Sequence, residues 1–149
     1  MHIEVDQSGK IEKTNIDTVL AFSNEKSATV LIPAQVKRAC LQALRPKHRR
    51  KTLIALKIFA AGLFLLLKEV LREVELLTID QEYLGREGDI KGMLLNLIQQ
   101  AEIDFDQGQI AFQRIGKRSA AHRKAITVLR GSAQPDRVLR AEDILQLLL

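Results

Sequence analysis

The chain has 149 residues, a length that suits one domain with a substantial hydrophobic core. Its hydrophobic fraction of 46% and charged fraction of 28% exclude a disordered or fibrous chain, and its net charge is +5. A single cysteine, Cys40, excludes an internal disulfide and a cysteine-based zinc site, and with no signal-peptide pattern it favours a cytoplasmic protein.

The first part of the chain predicts three short strands. Residues 2–12 alternate apolar and polar side chains and run into a turn that contains glycine. Two further apolar runs follow at Thr18–Phe22 and Ala28–Ile32, separated by a polar turn. Because the connections are short, we expect these strands to form an antiparallel meander.

Two helices are expected next. Pro33 suits the first position of a helix, and Arg45-Pro46 ends that helix. A long apolar segment, Leu53–Leu67, follows and is expected to continue to Leu71. It contains Lys57 and is shorter than the roughly 20 residues of a membrane span, so we expect no membrane insertion and interpret it as a buried core helix.

Strands and helices alternate in the second half. Val74–Ile79 is a nearly continuous apolar run, typical of a strand buried on both faces. A helix is predicted from Asp89, its candidate N-cap, to Gln100, then a strand at Gln109–Ile115. Ser119 is the candidate N-cap of a further helix.

The last residues predict an amphipathic helical extension, 132–149, that follows a main domain of residues 1–131. Its final residues, ILQLLL, need an apolar groove on the same domain or on a partner chain. We therefore expect packing on the domain itself or a homodimer formed through this C-terminal helix.

Basic residues are concentrated in two windows that contain no acidic residue. One lies between Glu25 and Glu69, and the other runs from Gln107 to Ala133. Segregated basic stretches are typical of proteins that bind DNA or RNA, although a single run is more often a solvated face. The candidate phosphate contacts are Arg49, Arg50, Lys51, Lys117 and Arg118.

Three polar residues in this order of elements resemble the ribonuclease H-like superfamily, which includes RuvC-type resolvases and the nuclease domain of UvrC. Asp6 in VDQSG matches the aspartate of the family's first strand, and Asp80 in LLTIDQEY matches the aspartate that ends its fourth. His122 in KRSAAHRKA occupies the position of the last family ligand, where UvrC-like members similarly carry a histidine.

The resemblance implies an α/β fold with a mixed five-stranded sheet, in the order 3-2-1-4-5, flanked by helices. It implies a metal-dependent nuclease that hydrolyses phosphodiester bonds in structured DNA or RNA with two Mg²⁺ or Mn²⁺ ions. Asp6 and Asp80 would be the metal ligands, since carboxylates are the hard oxygen ligands that these cations prefer. His122 would orient water or protonate the leaving oxygen, and the alternative for it is a surface helix residue.

One departure affects the expected activity. Many members carry a glutamate at the start of the helix after the third strand, but this chain has KHRRKT there, and Glu69 falls at the far end. Glu82, just after Asp80, is a candidate substitute. The alternative function is a catalytically degenerate nucleic-acid-binding or assembly protein on the same fold. Tyr83 either stacks on a base or caps the core.

Overall fold

The computed structural model describes residues 1–48 and 50–149, so the predicted phosphate contact Arg49 lies outside the described residues. The strands are β1 (His2–Ser8), β2 (Thr18–Ser23), β3 (Ser27–Ile32), β4 (Leu76–Asp80), β5 (Ile110–Gln113) and β6 (Arg137–Val138). The helices are α1 (Ala34–Leu44), α2 (Lys51–Leu67), α3 (Glu87–Gln100), α4 (Ala120–Leu129) and α5 (Ala141–Leu148).

The fold is α/β, with a mixed sheet in the order β5-β4-β1-β2-β3-β6. β1, β2 and β3 form the antiparallel meander, β4 and β5 run parallel to β1, and β6 runs parallel to β3. The expected number of five strands was wrong, because β6 adds a sixth strand beside β3. Read from the opposite edge, the other five follow the order 3-2-1-4-5. A two-residue strand is too short to show an alternating pattern, so the sequence did not reveal it.

Helices cover both faces of the sheet. Strand β2 has apolar side chains on each of these faces, which the helices bury. Its Val19 and Ala21 pack with Ala125 and Val128 of α4, whereas Leu20 faces the main core. Successive strand side chains point to opposite faces. Helix α4 therefore lies on one face, and α2 lies on the other.

Helix α2 is the centre of the main core, as its apolar composition predicted. Every residue from Ile54 to Leu67 except Lys57 is buried. The helix ends at Leu67 and not at Leu71, because Lys68 caps it and a 3₁₀ turn follows at Leu71–Glu73. Among residues 1–48 and 50–149, no helix has the length and apolar character that crossing a bilayer requires.

The segment after Gly131 packs on the rest of the chain. β6 pairs with Val30 and Leu31 of β3, and α5 contacts α1 and α2. Leu139 and Ile144 are fully buried in the same core as the strands. The chain itself therefore supplies an apolar groove for the buried face of α5, and the homodimer through this helix stays a prediction.

Two helix starts differ from expectation. Helix α3 begins at Glu87, so Asp89 is not the N-cap but lies in the first turn, where its carboxylate pairs with Arg86 at 3.2 Å. Pro33 precedes the first turn of α1 and is not its first residue. The cap on α4 is confirmed, since the Ser119 hydroxyl accepts a hydrogen bond from the Ala121 N–H.

A buried lysine holds the loop between β1 and β2 against α1. Lys37 is 0% exposed, and its Nζ donates to the carbonyls of Lys10 (3.2 Å) and Lys13 (2.8 Å) and to the Thr18 hydroxyl (2.9 Å). Three acceptors compensate for part of the desolvation of the ammonium group. Burial still lowers the pKa of Lys37 to about 8.

Candidate active site

The site is built at the carboxyl ends of β1 and β4. The two strands run parallel with Val5 opposite Ile79, so Asp6 and Asp80 occupy the next position on each. Both are buried, with exposures of 3% and 9%. Parallel strands in register bring side chains of equivalent position to the same edge of the sheet. The two carboxylates therefore converge, as two ligands of one metal site must.

Glu82 joins the two aspartates. One carboxylate oxygen from each of Asp6, Asp80 and Glu82 lies within 4.8 Å of the others. The loop after β4 returns Glu82 to the strand end, where its N–H donates to the Asp80 carbonyl at 3.0 Å. The structure therefore brings together three of the four predicted catalytic residues as one acidic cluster.

Backbone amides fix the two aspartates in place. Asp6 Oδ1 accepts from the Gln7 N–H at 2.9 Å, and Asp80 Oδ1 accepts from the Ile115 N–H at 2.7 Å. The second contact ties the end of β4 to the segment that leaves β5. In each aspartate, a backbone N–H therefore holds Oδ1 and orients the carboxylate.

The fourth predicted residue, His122, contacts the cluster through Asp6. Its Nδ1 lies 2.7 Å from Asp6 Oδ2, and it is partly buried on the first turns of α4. With Asp6 ionised, Nδ1–H is the donor and Nε2 is left as the second proton site of the ring. His122 was alternatively interpreted as a surface helix residue, but its hydrogen bond to the buried Asp6 differs from that interpretation.

The environment raises the pKa of two carboxyl groups in the acidic cluster. Burial raises the pKa of Asp6, although hydrogen bonds from His122 and the Gln7 amide oppose the rise. Burial, a hydrogen bond with Asp80 and repulsion from Asp80 and Asp6 raise the pKa of Glu82 to about 7. Clustered carboxylates repel one another when ionised, so a bound cation would favour their charged forms.

The donor set fits a divalent cation. Three carboxylates are hard oxygen ligands, and they line a cavity of about 420 Å³. Gln7 lines the same cavity and is nine-tenths buried, and its Nε2 has no hydrogen-bond partner in the part of the chain that the structure describes. A buried amide without a partner marks a place where a ligand or water is expected. The cluster can therefore bind a metal ion.

The predicted basic residues separate into two groups. Lys117 lines the acidic cavity and Arg118 follows it, both exposed. Arg50 and Lys51 lie at the start of α2, and neither lines this cavity. Lys51 lines a neighbouring cavity instead, and the prediction that Arg50 and Lys51 contact phosphates stays a prediction.

Sequence reasoning did not select four side chains that line this cavity: Gln7, Gln81, Arg114 and Ile115. Gln7 had a signal, since a polar residue directly follows Asp6 inside a strand whose neighbours are buried. Arg114 had two signals, since it belongs to the basic window from Gln107 to Ala133 and follows β5 at the same edge of the sheet as Asp80.

No family model, curated protein or solved structure matches this chain. The resemblance to the ribonuclease H-like superfamily therefore has only the residues, their order and their geometry to support it.

Proposed function

We propose that the protein is a metal-dependent nuclease of ribonuclease H-like fold, which hydrolyses phosphodiester bonds in structured DNA or RNA. One observation carries the proposal: Asp6, Asp80 and Glu82 bring carboxylate oxygens within 4.8 Å of one another at the ends of adjacent strands. Placing two buried carboxylates and one partly buried carboxylate together is unfavourable without a cation, and the contact with His122 reaches only Asp6.

The topology supports the same proposal. The resemblance implies that the first and fourth strands are neighbours, and β1 pairs with β4 in parallel. It also implies a ligand on the last helix of the fold, and α4 brings His122 to Asp6. Crevices at the carboxyl ends of parallel strands are the usual ligand sites of such sheets.

Asp6, Asp80 and Glu82 would hold Mg²⁺ or Mn²⁺. Bound there, the cation would lower the pKa of water and stabilise negative charge on the phosphate. Glu82 would replace the glutamate that the family carries on its first long helix, which here begins with Lys51 and Thr52 and has no acidic residue in its first turn.

His122 and two basic residues complete the proposed mechanism. His122, oriented by Asp6, would exchange a proton with the attacking water or with the leaving oxygen. Lys117 and Arg114 line the rim of the cavity, where they would contact the phosphates that flank the cleaved bond. The side chains that bind, orient and transfer protons are therefore all at one end of the sheet.

A catalytically degenerate nucleic-acid-binding protein is the second candidate. Its specific support is the first turn of α2, where no acidic residue is found. The two functions differ in one measurable property, since only the nuclease converts bound nucleic acid to shorter products.

The test is cleavage of labelled hairpin RNA, RNA–DNA hybrid and four-way-junction DNA with Mg²⁺ or Mn²⁺. We expect Asp80→Asn and Asp6→Asn to lower the rate by orders of magnitude while folding is kept, because the cation loses an anionic ligand. Asp104→Asn is the matched control, an exposed aspartate far from the cluster along the chain. Equal cleavage by Asp80→Asn would place any nuclease site elsewhere, and tight binding without cleavage would favour the degenerate binder.

Binding to the rim has its own test. Lys117→Ala and Arg118→Ala should each reduce the slope of log affinity against log salt by about 0.7–0.9, because each lost phosphate contact releases one fewer counterion. Arg72→Ala removes the same charge from an exposed position beyond the other end of α2 and should leave the slope unchanged. If the unmodified protein binds no nucleic acid at low salt, the two basic windows are only solvated charged surfaces.

A further inference from the structure

A second cavity lies beside the acidic one and is chemically different. It measures about 380 Å³, and its walls are mostly apolar. The β1–β2 loop, α1, α2 and the loop after β4 contribute its lining: Ile11, Glu12, Leu41, Lys51, Thr52, Ala55, Leu56 and Tyr83. An apolar cavity of this size with a few polar groups is the usual form of a small-molecule site.

The two cavities share a wall. Glu82 lines the acidic cavity and the next residue, Tyr83, lines the apolar one. The Tyr83 hydroxyl accepts from the Ile11 N–H at 3.3 Å and donates to Gln7 Oε1 at 3.1 Å, and Gln7 lines the acidic cavity. Adjacent Cα atoms are about 3.8 Å apart, so Glu82 and Tyr83 place the linings of the two cavities next to each other.

An aromatic pair stiffens this wall. The Tyr83 ring packs against Phe59 of α2, with centroids 5.1 Å apart and an interplanar angle of 55°. Tilted aromatic pairs of this kind are favourable beyond the area that they bury. Tyr83 therefore packs against the core, one of the two roles predicted for it, and it also lines the cavity, while stacking on a base stays a prediction.

The rim of the apolar cavity is basic. Lys51 also lines an adjoining depression together with Arg38 and Arg45. Leu41 lies between this depression and the apolar cavity and lines both. No described side chain caps α2, so the N–H groups of its first turn are available to an anion beside Lys51. A ligand that complements this surface has an apolar, planar part and a negatively charged part.

We propose that the apolar cavity binds a guanine base, with the attached phosphate on Lys51, Arg38 and Arg45. A nucleobase supplies the planar part and the phosphate supplies the charge, and stacking on aromatic residues is a common way to bind unpaired bases. This inference rests on the proposed nuclease function for the role of the base. The guanine would belong to a nucleotide next to the cleaved bond.

Glu12 specifies the base. Glu12 is exposed and lines the same cavity as Tyr83, so it presents a carboxylate to a ligand there. A carboxylate accepts hydrogen bonds and donates none. Guanine carries N1–H and N2–H₂ side by side on its pairing edge, so it can donate to both oxygens at once.

The experiment titrates GMP, AMP, CMP and UMP separately into the full chain in EDTA and measures affinity by calorimetry and amide chemical shifts. GMP should bind at least tenfold more tightly than the other three. Glu12→Gln should remove that preference by weakening GMP about tenfold, because the amide replaces one of the two acceptor oxygens with an NH₂ donor. Glu25→Gln is the matched control, an exposed glutamate in the β2–β3 turn.

A blocking variant tests the location of the ligand. Thr52 is exposed at the edge of the cavity, so Thr52→Trp should fill the entrance without affecting the core and should weaken GMP more than tenfold. Failure of GMP to bind, or GMP affinity unchanged in both variants, overturns the inference. Because EDTA removes divalent cations, this result is separate from cleavage: cleavage without GMP binding contradicts only the inference, and GMP binding without cleavage contradicts only the proposed nuclease.

Discussion

His122 Nδ1 lies 2.7 Å from Asp6 Oδ2, although 116 residues separate the two along the chain. The contact joins the first strand to the helix α4 that packs across it. It fixes the ring by one nitrogen and leaves the other for proton exchange. The proton transfer proposed for this histidine can therefore be tested separately from metal binding.

His122→Ala should lower cleavage by about 10²–10⁴-fold, the usual contribution of a general acid or base, and should affect cation affinity much less than Asp80→Asn does. His122→Gln keeps a hydrogen-bond donor for Asp6 but cannot exchange protons, so it should be as slow as alanine. Single-turnover cleavage and Mn²⁺ titration measure the two effects. Cleavage restored by glutamine would show that the histidine only orients Asp6.

Stability without cations should fall as pH rises from about 4.5 to about 7. The pKa of Glu82 is raised from 4.5 to about 7 by burial and by its carboxylate neighbours, so folding favours the protonated form. Such a group contributes its full stabilisation below the lower value, and that contribution is lost as pH passes the upper one. The raised pKa of Asp6 acts in the same direction.

Thermal unfolding in EDTA across this pH range measures the loss. Glu82→Gln should flatten the profile, whereas Glu69→Gln, at an exposed position, should leave it unchanged. Adding Mn²⁺ at pH 8 should raise the melting temperature more than at pH 5, because ligands must be ionised to bind. An equal rise at both values would contradict a carboxylate site.

Two glycines with positive φ should respond differently to alanine. Gly9 has φ +78° and a Cβ there would lie 2.2 Å from the Asp17 carbonyl oxygen, whereas Gly85 has φ +80° with nothing within 4 Å. Gly85→Ala should cost about 1–2 kcal/mol, the strain of a left-handed residue. Gly9→Ala should lower the free energy of unfolding more than Gly85→Ala does, because the Asp17 backbone must also move. Denaturant unfolding measures both losses. Equal losses would contradict the close approach of Asp17 to Gly9.

The buried Lys37 should make stability depend on alkaline pH. Burial lowers its pKa from 10.5 to about 8, so between these values the unfolded chain binds more protons than the folded one. Stability contributed by this group therefore rises with pH from 8 to 10.5. The difference in unfolding free energy between the unmodified protein and Lys37→Met, measured at pH 7.5 and 10, should grow in favour of the lysine. A constant difference would contradict the lowered pKa.

The strands and helices that sequence patterns predicted well are those with long periodic or apolar runs. The apolar run Leu53–Leu67 predicted α2. The apolar run before Asp80 predicted β4 and its parallel pairing with β1. Asp6 and Asp80 followed from the same logic, because a polar residue at the end of a buried strand faces the edge of the sheet.

Features that depend on folding back of the chain were harder to predict. Glu82 could be suggested as a substitute ligand, but its approach to Asp80 depends on the turn after β4. Gln7 was not selected, since its partner Tyr83 is 76 residues away. β6 has two residues and pairs with a strand more than a hundred residues earlier, which no local pattern records.

The pairing of β6 with β3 has a consequence for how the chain folds during synthesis. Asp136 Oδ2 accepts from the Thr29 N–H at 2.8 Å across a sequence separation of 107 residues. The ribosome therefore releases β3 long before its neighbour on that side exists. Contacts so distant in sequence form slowly, and an unpaired strand edge is a template for other chains. Protection of nascent β3 from aggregation must come from something other than β6, such as a chaperone or the speed of translation.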